Sequence, residues 1–199
     1  MSSITAPLIE YIISIIDSIG YLGIFVTMTL ESAGVPIPSE VVVPFAGYLS
    51  VRGDMDFYAV VLVSTLANLV GSIILYYIGL FYGRVFVIKY GKYLLLEESH
   101  LTYVEDLFSR YGSIITFVGR VTPGVRTYIS IVAGMGKMAM PPFILYTVIG
   151  SFIWNWLLAY IGVLLGENWE SIVPYLDMMA VVALILLAIF LYVYLRMRR

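Results

Sequence analysis

The chain contains no cysteine and a single histidine, His100, among 199 residues. The first absence excludes disulfides and thiolate-ligated metals. The second argues against a histidine-based zinc site and against a serine–histidine hydrolytic pair. Charge is also scarce, at 12% of residues where a soluble domain has about 25%. Eleven Lys and Arg against thirteen Asp and Glu give a net charge of −2, so there is no basic footprint for nucleic acid. The opening Met1-Ser-Ser-Ile-Thr-Ala-Pro7 has no basic n-region, so no cleaved signal peptide is expected. What remains is apolar: 61% of residues are hydrophobic and the mean hydropathy is +0.98. Together these values exclude an ordinary soluble globule, a disordered chain and a nucleic-acid binder. They point to an integral membrane protein with several hydrophobic segments, inserted by those segments themselves.

A helix needs about 20 apolar residues to cross a bilayer core. Three stretches meet that length: Phe57–Tyr82, Pro142–Leu165 and Met178–Leu195, the last ending at Arg196, Arg198 and Arg199. Two others are too short. Tyr21–Leu30 runs into Glu31, Gly34, Pro36 and Pro38, then resumes from Val41 to Val51. Ser113–Gly119 runs into Arg120, Pro123, Gly124 and Arg126, then resumes from Thr127 to Met135. Half-length helices joined by a Pro/Gly break predict re-entrant hairpins, because irregular backbone at membrane depth needs protein or a wet cavity around it. Ile4–Ser18 and Ser99–Arg110 each carry an apolar stripe at helical spacing and predict interfacial amphipathic helices. A tilted span is the alternative for the first.

Basic residues favour the cytoplasmic side. The Arg84–Arg110 loop, Lys137 and the arginine tail carry them, whereas Gly166–Asp177 has acids only. The path that satisfies this places the C-terminus in the cytoplasm and brings the two hairpins in from opposite faces. The chain then repeats itself inverted. Ala46-Gly47 and Ala133-Gly134 close the two hairpins, and the spans that follow share Y-I-G-x-x-x-G at Tyr77–Gly83 and Tyr160–Gly166. The expected fold is therefore an all-α polytopic membrane protein in one membrane domain. It comprises an inverted repeat of amphipathic helix, re-entrant helical hairpin and transmembrane helix (repeat 1 about 4–83, repeat 2 about 97–166), plus a C-terminal transmembrane helix at 177–197. Broken helices meeting between inverted repeats are a transporter signature.

Glu31, Glu40, Arg120 and Arg126 lie in or beside the breaks formed by Pro36, Pro38, Pro123 and Gly124. Each charge at a helix centre costs about 2.5–3.5 kcal/mol on insertion scales, so the four must pair or line a wet cavity. Two arginines can fork onto a phosphate, and half-helix N-termini near Ser39 and Thr127 would add N–H donors. A carboxylate there can take and release a proton as an anion arrives and leaves. Arg120 and Arg126 are thus expected to bind the anion, and Glu31 and Glu40 to couple protons. The alternative is that the four form buried ion pairs that only clip the hairpins together. No metal site, cofactor or enzymatic chemistry is called for.

At these residues the chain resembles the DedA family, which shares a domain with the eukaryotic VTT (SNARE-associated Golgi protein) group. The stretches that carry the likeness are Glu31-Ser-Ala-Gly-Val-Pro-Ile-Pro-Ser-Glu40 with Gly47, and Phe117-Val-Gly-Arg-Val-Thr-Pro-Gly-Val-Arg126. Ala133–Met138 with Phe143 extends the second. The chain departs from the family's pattern at Val121, where an aromatic residue is frequent, and at Ile129-Ser130, where proline is. The resemblance implies proton-gradient-dependent return of a phosphate-headed lipid, undecaprenyl phosphate or a related polyprenyl phosphate, across the cytoplasmic membrane. It also maps the family's acidic and arginine residues onto Glu31, Glu40, Arg120 and Arg126. An energy-independent phospholipid scramblase and a small-ion or proton antiporter are the alternatives.

Other residues carry plainer expectations. Asn68 and Asn155, inside spans, should cap helix contacts. Gly79, Gly83, Gly162 and Gly166 should allow close helix packing, within the protomer or in a homo-oligomer. Trp154 and Trp156 lie deep enough to be core.

Overall fold

The computed structural model describes residues 6–94, 98–122, 124–166 and 168, and among these it is all-helical, with seven α-helices and no strand. They are α1 (Ala6–Ile19), α2 (Tyr21–Ser32), α3 (Ser39–Arg52), α4 (Phe57–Leu94), α5 (Glu98–Val121), α6 (Ile129–Met135) and α7 (Met140–Leu165). Two segments are long and apolar enough to cross a membrane, Phe57–Gly83 in α4 and Met140–Leu165 in α7. The expected C-terminal span and its arginines lie outside the described residues, as does Pro123.

Both expected breaks are present. α2 stops at Ser32, Gly34 takes φ 101°, and the chain runs without helix through Val35-Pro36-Ile37-Pro38 before α3 starts at Ser39. Prolines at 36 and 38 withhold two N–H donors and keep the residues before them out of the helical region. The second break turns at Gly124, φ 75°, and α6 starts at Ile129, two residues later than Thr127. Glycine bears these positive φ values without the Cβ penalty.

Two boundaries differ from the sequence expectation. α4 does not end at Tyr82 but continues to Leu94, so Arg84–Leu94 is helix rather than loop. The expected interfacial helix Ser99–Arg110 and half-helix from Ser113 are one 24-residue helix, α5. The reason is common to both: neither junction contains a proline. A lone Gly91 or Gly112 costs a helix only about 1 kcal/mol.

α2 and α6 pack on α4, while α3 and α5 pack on α7, and α4 also meets α7. Each long helix therefore holds the second half-helix of the other hairpin. Glycines set the distance of these crossings. A Cβ on Gly47 of α3 would sit 2.9 Å from the Ala159 carbonyl carbon, and one on Gly162 of α7 would sit 2.7 Å from that of Pro44. At the other crossing, Gly134 of α6 meets Tyr76 and Gly79 of α4 meets Ile131, each at 2.9 Å by the same measure. Gly83 is likewise closed, against Met135. Gly166 is the exception: no described atom lies within 4 Å of its Cβ position, and its φ of 51° makes it a helix end rather than a packing face.

The apolar core forms two clusters. One joins Ile16, Ile24, Met28, Val41–Val43, Phe45 and Leu49 to Val60, Trp154 and Leu158. The other gathers Tyr76, Phe108, Ile129, Met138 and Phe143. Trp156 is not core: it is 41% exposed and stacks on Tyr160. Residues two apart on a helix point about 200° from each other, so Trp154 and Trp156 cannot share one buried face.

Asp56 opens α4, its Oδ1 accepting from the Ala59 N–H at 2.8 Å while its own N–H donates to the Tyr21 hydroxyl at 2.7 Å. This cap ties the start of α4 to the start of α2. Asp56→Ala is expected to cost about 1 kcal/mol, read as a lower thermal midpoint in detergent, with Asp56→Asn recovering most of the loss.

Candidate functional site

The two breaks meet. Glu31, in the last turn of α2, places its carboxylate Oε1 2.7 Å from Arg126 Nη2, in the turn before α6. Residues 95 apart are thus joined at a site almost closed to solvent. Glu31 is 6% exposed and Arg126 7%. Other donors complete the carboxylate. Thr127 Oγ1 donates to Oε1 at 2.9 Å, while Ser32 Oγ at 3.0 Å and Asn68 Nδ2 at 3.4 Å donate to Oε2. A buried charge needs a partner and hydrogen bonds to offset its desolvation, and Glu31 has both. Arg126 also lies over the Trp154 ring, 5.6 Å from its centroid, a cation–π contact of the kind that favours arginine over lysine.

Arg120, in the last turn of α5, is 2% exposed and does not pair with a carboxylate among the described residues. Its Nη1 donates to the Arg126 carbonyl at 2.9 Å, and its Nη2 donates to Ser130 Oγ. One guanidinium thereby spans the second break from α5 to α6. Gly150 of α7 gives Arg120 its passage: a Cβ there would stand 2.6 Å from Arg120 Cβ. Arg120 Nε is left buried and without a partner, as are Ser39 Oγ and Trp154 Nε1.

Glu40 is placed differently from its expected role in a four-charge cluster. It stands in the first turn of α3, half-buried, and makes no ion pair or side-chain hydrogen bond among the described residues. The six-residue break 33–38 separates it from Glu31 along the chain. Pro44 sits one turn further on and has no N–H, so the Glu40 carbonyl lacks its usual helical donor.

Asn68 and Asn155 do more than cap. Asn155 Nδ2 on α7 donates to Asn68 Oδ1 on α4 at 2.8 Å and to Thr65 Oγ1 at 3.3 Å. Asn68 Nδ2 in turn donates to Ser32 Oγ at 2.6 Å. Both long helices are thereby wired to the Glu31 end of the ion pair. The sequence carried a signal for this, since an amide inside an apolar span must find a partner, but nothing in the spacing says which.

The VTT domain profile matches residues 37–164. The chain is 40% identical to the uncharacterized membrane protein YkoX of Bacillus subtilis over 92% of its length and 80% of that protein's. It is 34% identical to undecaprenyl phosphate transporter A of the same organism, over 83% of this chain and 81% of the transporter. It is 33% identical to an alkaline phosphatase-like protein of Lactococcus lactis, over 90% and 86%. No solved structure matches the chain. With the domain profile covering more than half of its length and these relatives matched nearly end to end, the chain belongs to the VTT-domain family of DedA membrane proteins.

Proposed function

We propose that this protein moves a phosphate-headed lipid across the bilayer coupled to the movement of protons, and that the lipid is a polyprenyl phosphate such as undecaprenyl phosphate. The buried Glu31–Arg126 pair carries this reading. A phosphate must compete with Glu31 for Arg126, and protonation of Glu31 removes the competitor. Proton and anion then enter together, so the buried site stays near neutral before and after loading. A phosphate monoester carries about −1.5 to −2 at pH 7, more than one arginine offsets. The unpartnered Arg120 Nε supplies the further cationic donor. Glu40, with no bonding partner among the described residues, serves as the outer proton carrier. The name of the Bacillus transporter supports the choice of lipid.

The path we propose has residues of about 4–83 and 97–166 as two inverted units. The reciprocal glycine crossings, Gly47 with Gly162 and Gly134 with Gly79, support that reading. So does the joining of one break to the other through Glu31 and Arg126. The headgroup would pass between the hairpins while the tail stays in lipid.

Reconstitution with labelled undecaprenyl phosphate is the test. Transbilayer movement should exceed that of empty liposomes and respond to an imposed pH gradient. Glu31→Gln should remove that response. No movement above empty liposomes, with or without a gradient, overturns the proposal. Movement indifferent to the gradient in the unmodified protein would make it a scramblase, and ion flux without carrier lipid an antiporter.

A further inference from the structure

The donors around Glu31 form a directed chain. Asn155 spends its side-chain N–H groups on Asn68 Oδ1 and Thr65 Oγ1. The Thr65 hydroxyl donates back to the Val61 carbonyl at 2.7 Å, so it can only accept from Asn155. With its carbonyl oxygen occupied, Asn68 must turn its N–H groups toward Ser32 Oγ and Glu31 Oε2. Ser32, having accepted from Asn68, gives its own proton to Glu31 Oε2. Every link from α7 to α2 points its hydrogen at the carboxylate. All members are buried: Asn155, Ser32 and Asn68 are 2% exposed or less, and Thr65 is 4%.

We infer that Asn155 is a positioning residue that governs proton uptake at Glu31 from three hydrogen bonds away, by fixing the orientation of Asn68. A carboxylate welcomes four donors. A carboxylic acid is served less well, because its proton needs an acceptor: the Asn68 amide presents only N–H, and the Ser32 and Thr127 hydroxyls can accept only by turning away from the donation they now make. Asn68 could supply one by turning its amide over, but that would set its N–H groups against those of Asn155. The clash of donors is what opposes protonation. Asn155 thus makes the departure of the Glu31 charge depend on a small movement of α7 relative to α4, and α7 is the helix that α3 and α5 pack on. The charged groups around Glu31 do not compete with this account. Arg126 is its ion partner, and Arg120 is held off on the Arg126 carbonyl. Glu40 on α3 makes no bond to it, and Asp17 on α1 is exposed. Neither Phe57–Gly83 nor α7 contains a charged residue.

The inference uses the reading of Glu31 as the proton carrier, so its test must not depend on transport. Infrared difference titration of the full-length protein in nanodiscs can follow the carboxylic C=O band of Glu31, assigned by its loss in Glu31→Gln. In Asn155→Leu that band should persist to higher pH than in the unmodified protein. Thr65→Val, which frees one Asn155 N–H and keeps the side-chain shape, should act the same way by less. This second variant covers the case in which Asn155→Leu fails to fold. The pH profile of lipid movement should shift with the infrared midpoint. A midpoint unmoved in whichever of the two variants folds overturns the relay. Absence of lipid movement, with the midpoint displaced, overturns the proposed function and leaves the relay standing.

Discussion

Arg126→Ala is expected to abolish lipid movement and to destabilise the protein by about 3–5 kcal/mol, because it leaves the Glu31 carboxylate buried without its cation. In a domain of this size that corresponds to a fall in thermal midpoint of order 10 °C. Arg126→Lys separates the two losses. A lysine can hold the ion pair but has neither the planar fork for a phosphate nor the face that lies over Trp154. Most of the stability should remain while transport falls about tenfold or more. Exchanging the pair, Glu31→Arg with Arg126→Glu, is the sharper comparison. The charges are opposite again, so a mere clip would largely recover. Yet Ser32, Thr127 and Asn68 all direct donors at position 31, and a guanidinium accepts from none of them. Partial recovery of the midpoint with no transport is expected. Recovered transport in the exchanged protein would mean that Arg126 is not the phosphate ligand and Glu31 not the proton carrier.

The hairpins were legible because their breaks rest on local chemistry: Pro36, Pro38 and the positive φ at Gly34 and Gly124 stop helices wherever they occur. So were the two long apolar stretches of α4 and α7, whose length and lack of charge are read directly. The continuous α5 was not, since an amphipathic segment followed by an apolar one looks like two elements until the missing breaker is weighed. Three of the four site charges could be placed together, because buried charge must be compensated and the breaks were the only place to do it. The partition among them could not. Whether Arg120 meets a carboxylate or a carbonyl depends on Gly150, a residue of α7 with no charge and no motif, leaving room for its stem. Glu40 lies nine residues from Glu31 in a stretch that looks like one acidic box, yet among the described residues it makes no ion pair or side-chain hydrogen bond, and nothing in the spacing says so. The amide relay needs residues from α2, α4 and α7 in one plane of contact, and no local pattern encodes a three-helix meeting.

Placing a methyl group at the glycine crossings is expected to be the most damaging small substitution in the protein. In Gly162→Ala the new Cβ would stand 2.7 Å from the Pro44 carbonyl carbon and 2.8 Å from its Cα, and in Gly47→Ala it would stand 3.0 Å from Ala159 Cα. These neighbours are backbone, so no rotamer change can relieve the overlap. α3 and α7 must separate. Overpacking of well-packed interiors costs about 1–3 kcal/mol, and an all-backbone clash belongs at the upper end. Separation also withdraws α7 from the arrangement in which Asn155 reaches Asn68 and Gly150 admits Arg120. Transport should therefore fall by more than the lost stability accounts for. Gly134→Ala and Gly79→Ala should do the same from the α4–α6 side, where the Tyr76 and Ile131 backbones stand in the way. Gly53→Ala is the control. It meets nothing within 4 Å, and its φ of 86° imposes a purely local penalty, about 1–2 kcal/mol, that Asn at the same position should reduce. If the four crossing variants kept their thermal midpoints and transport while Gly53→Ala lost both, the close approach of each long helix to the opposite hairpin would not be what holds the site together.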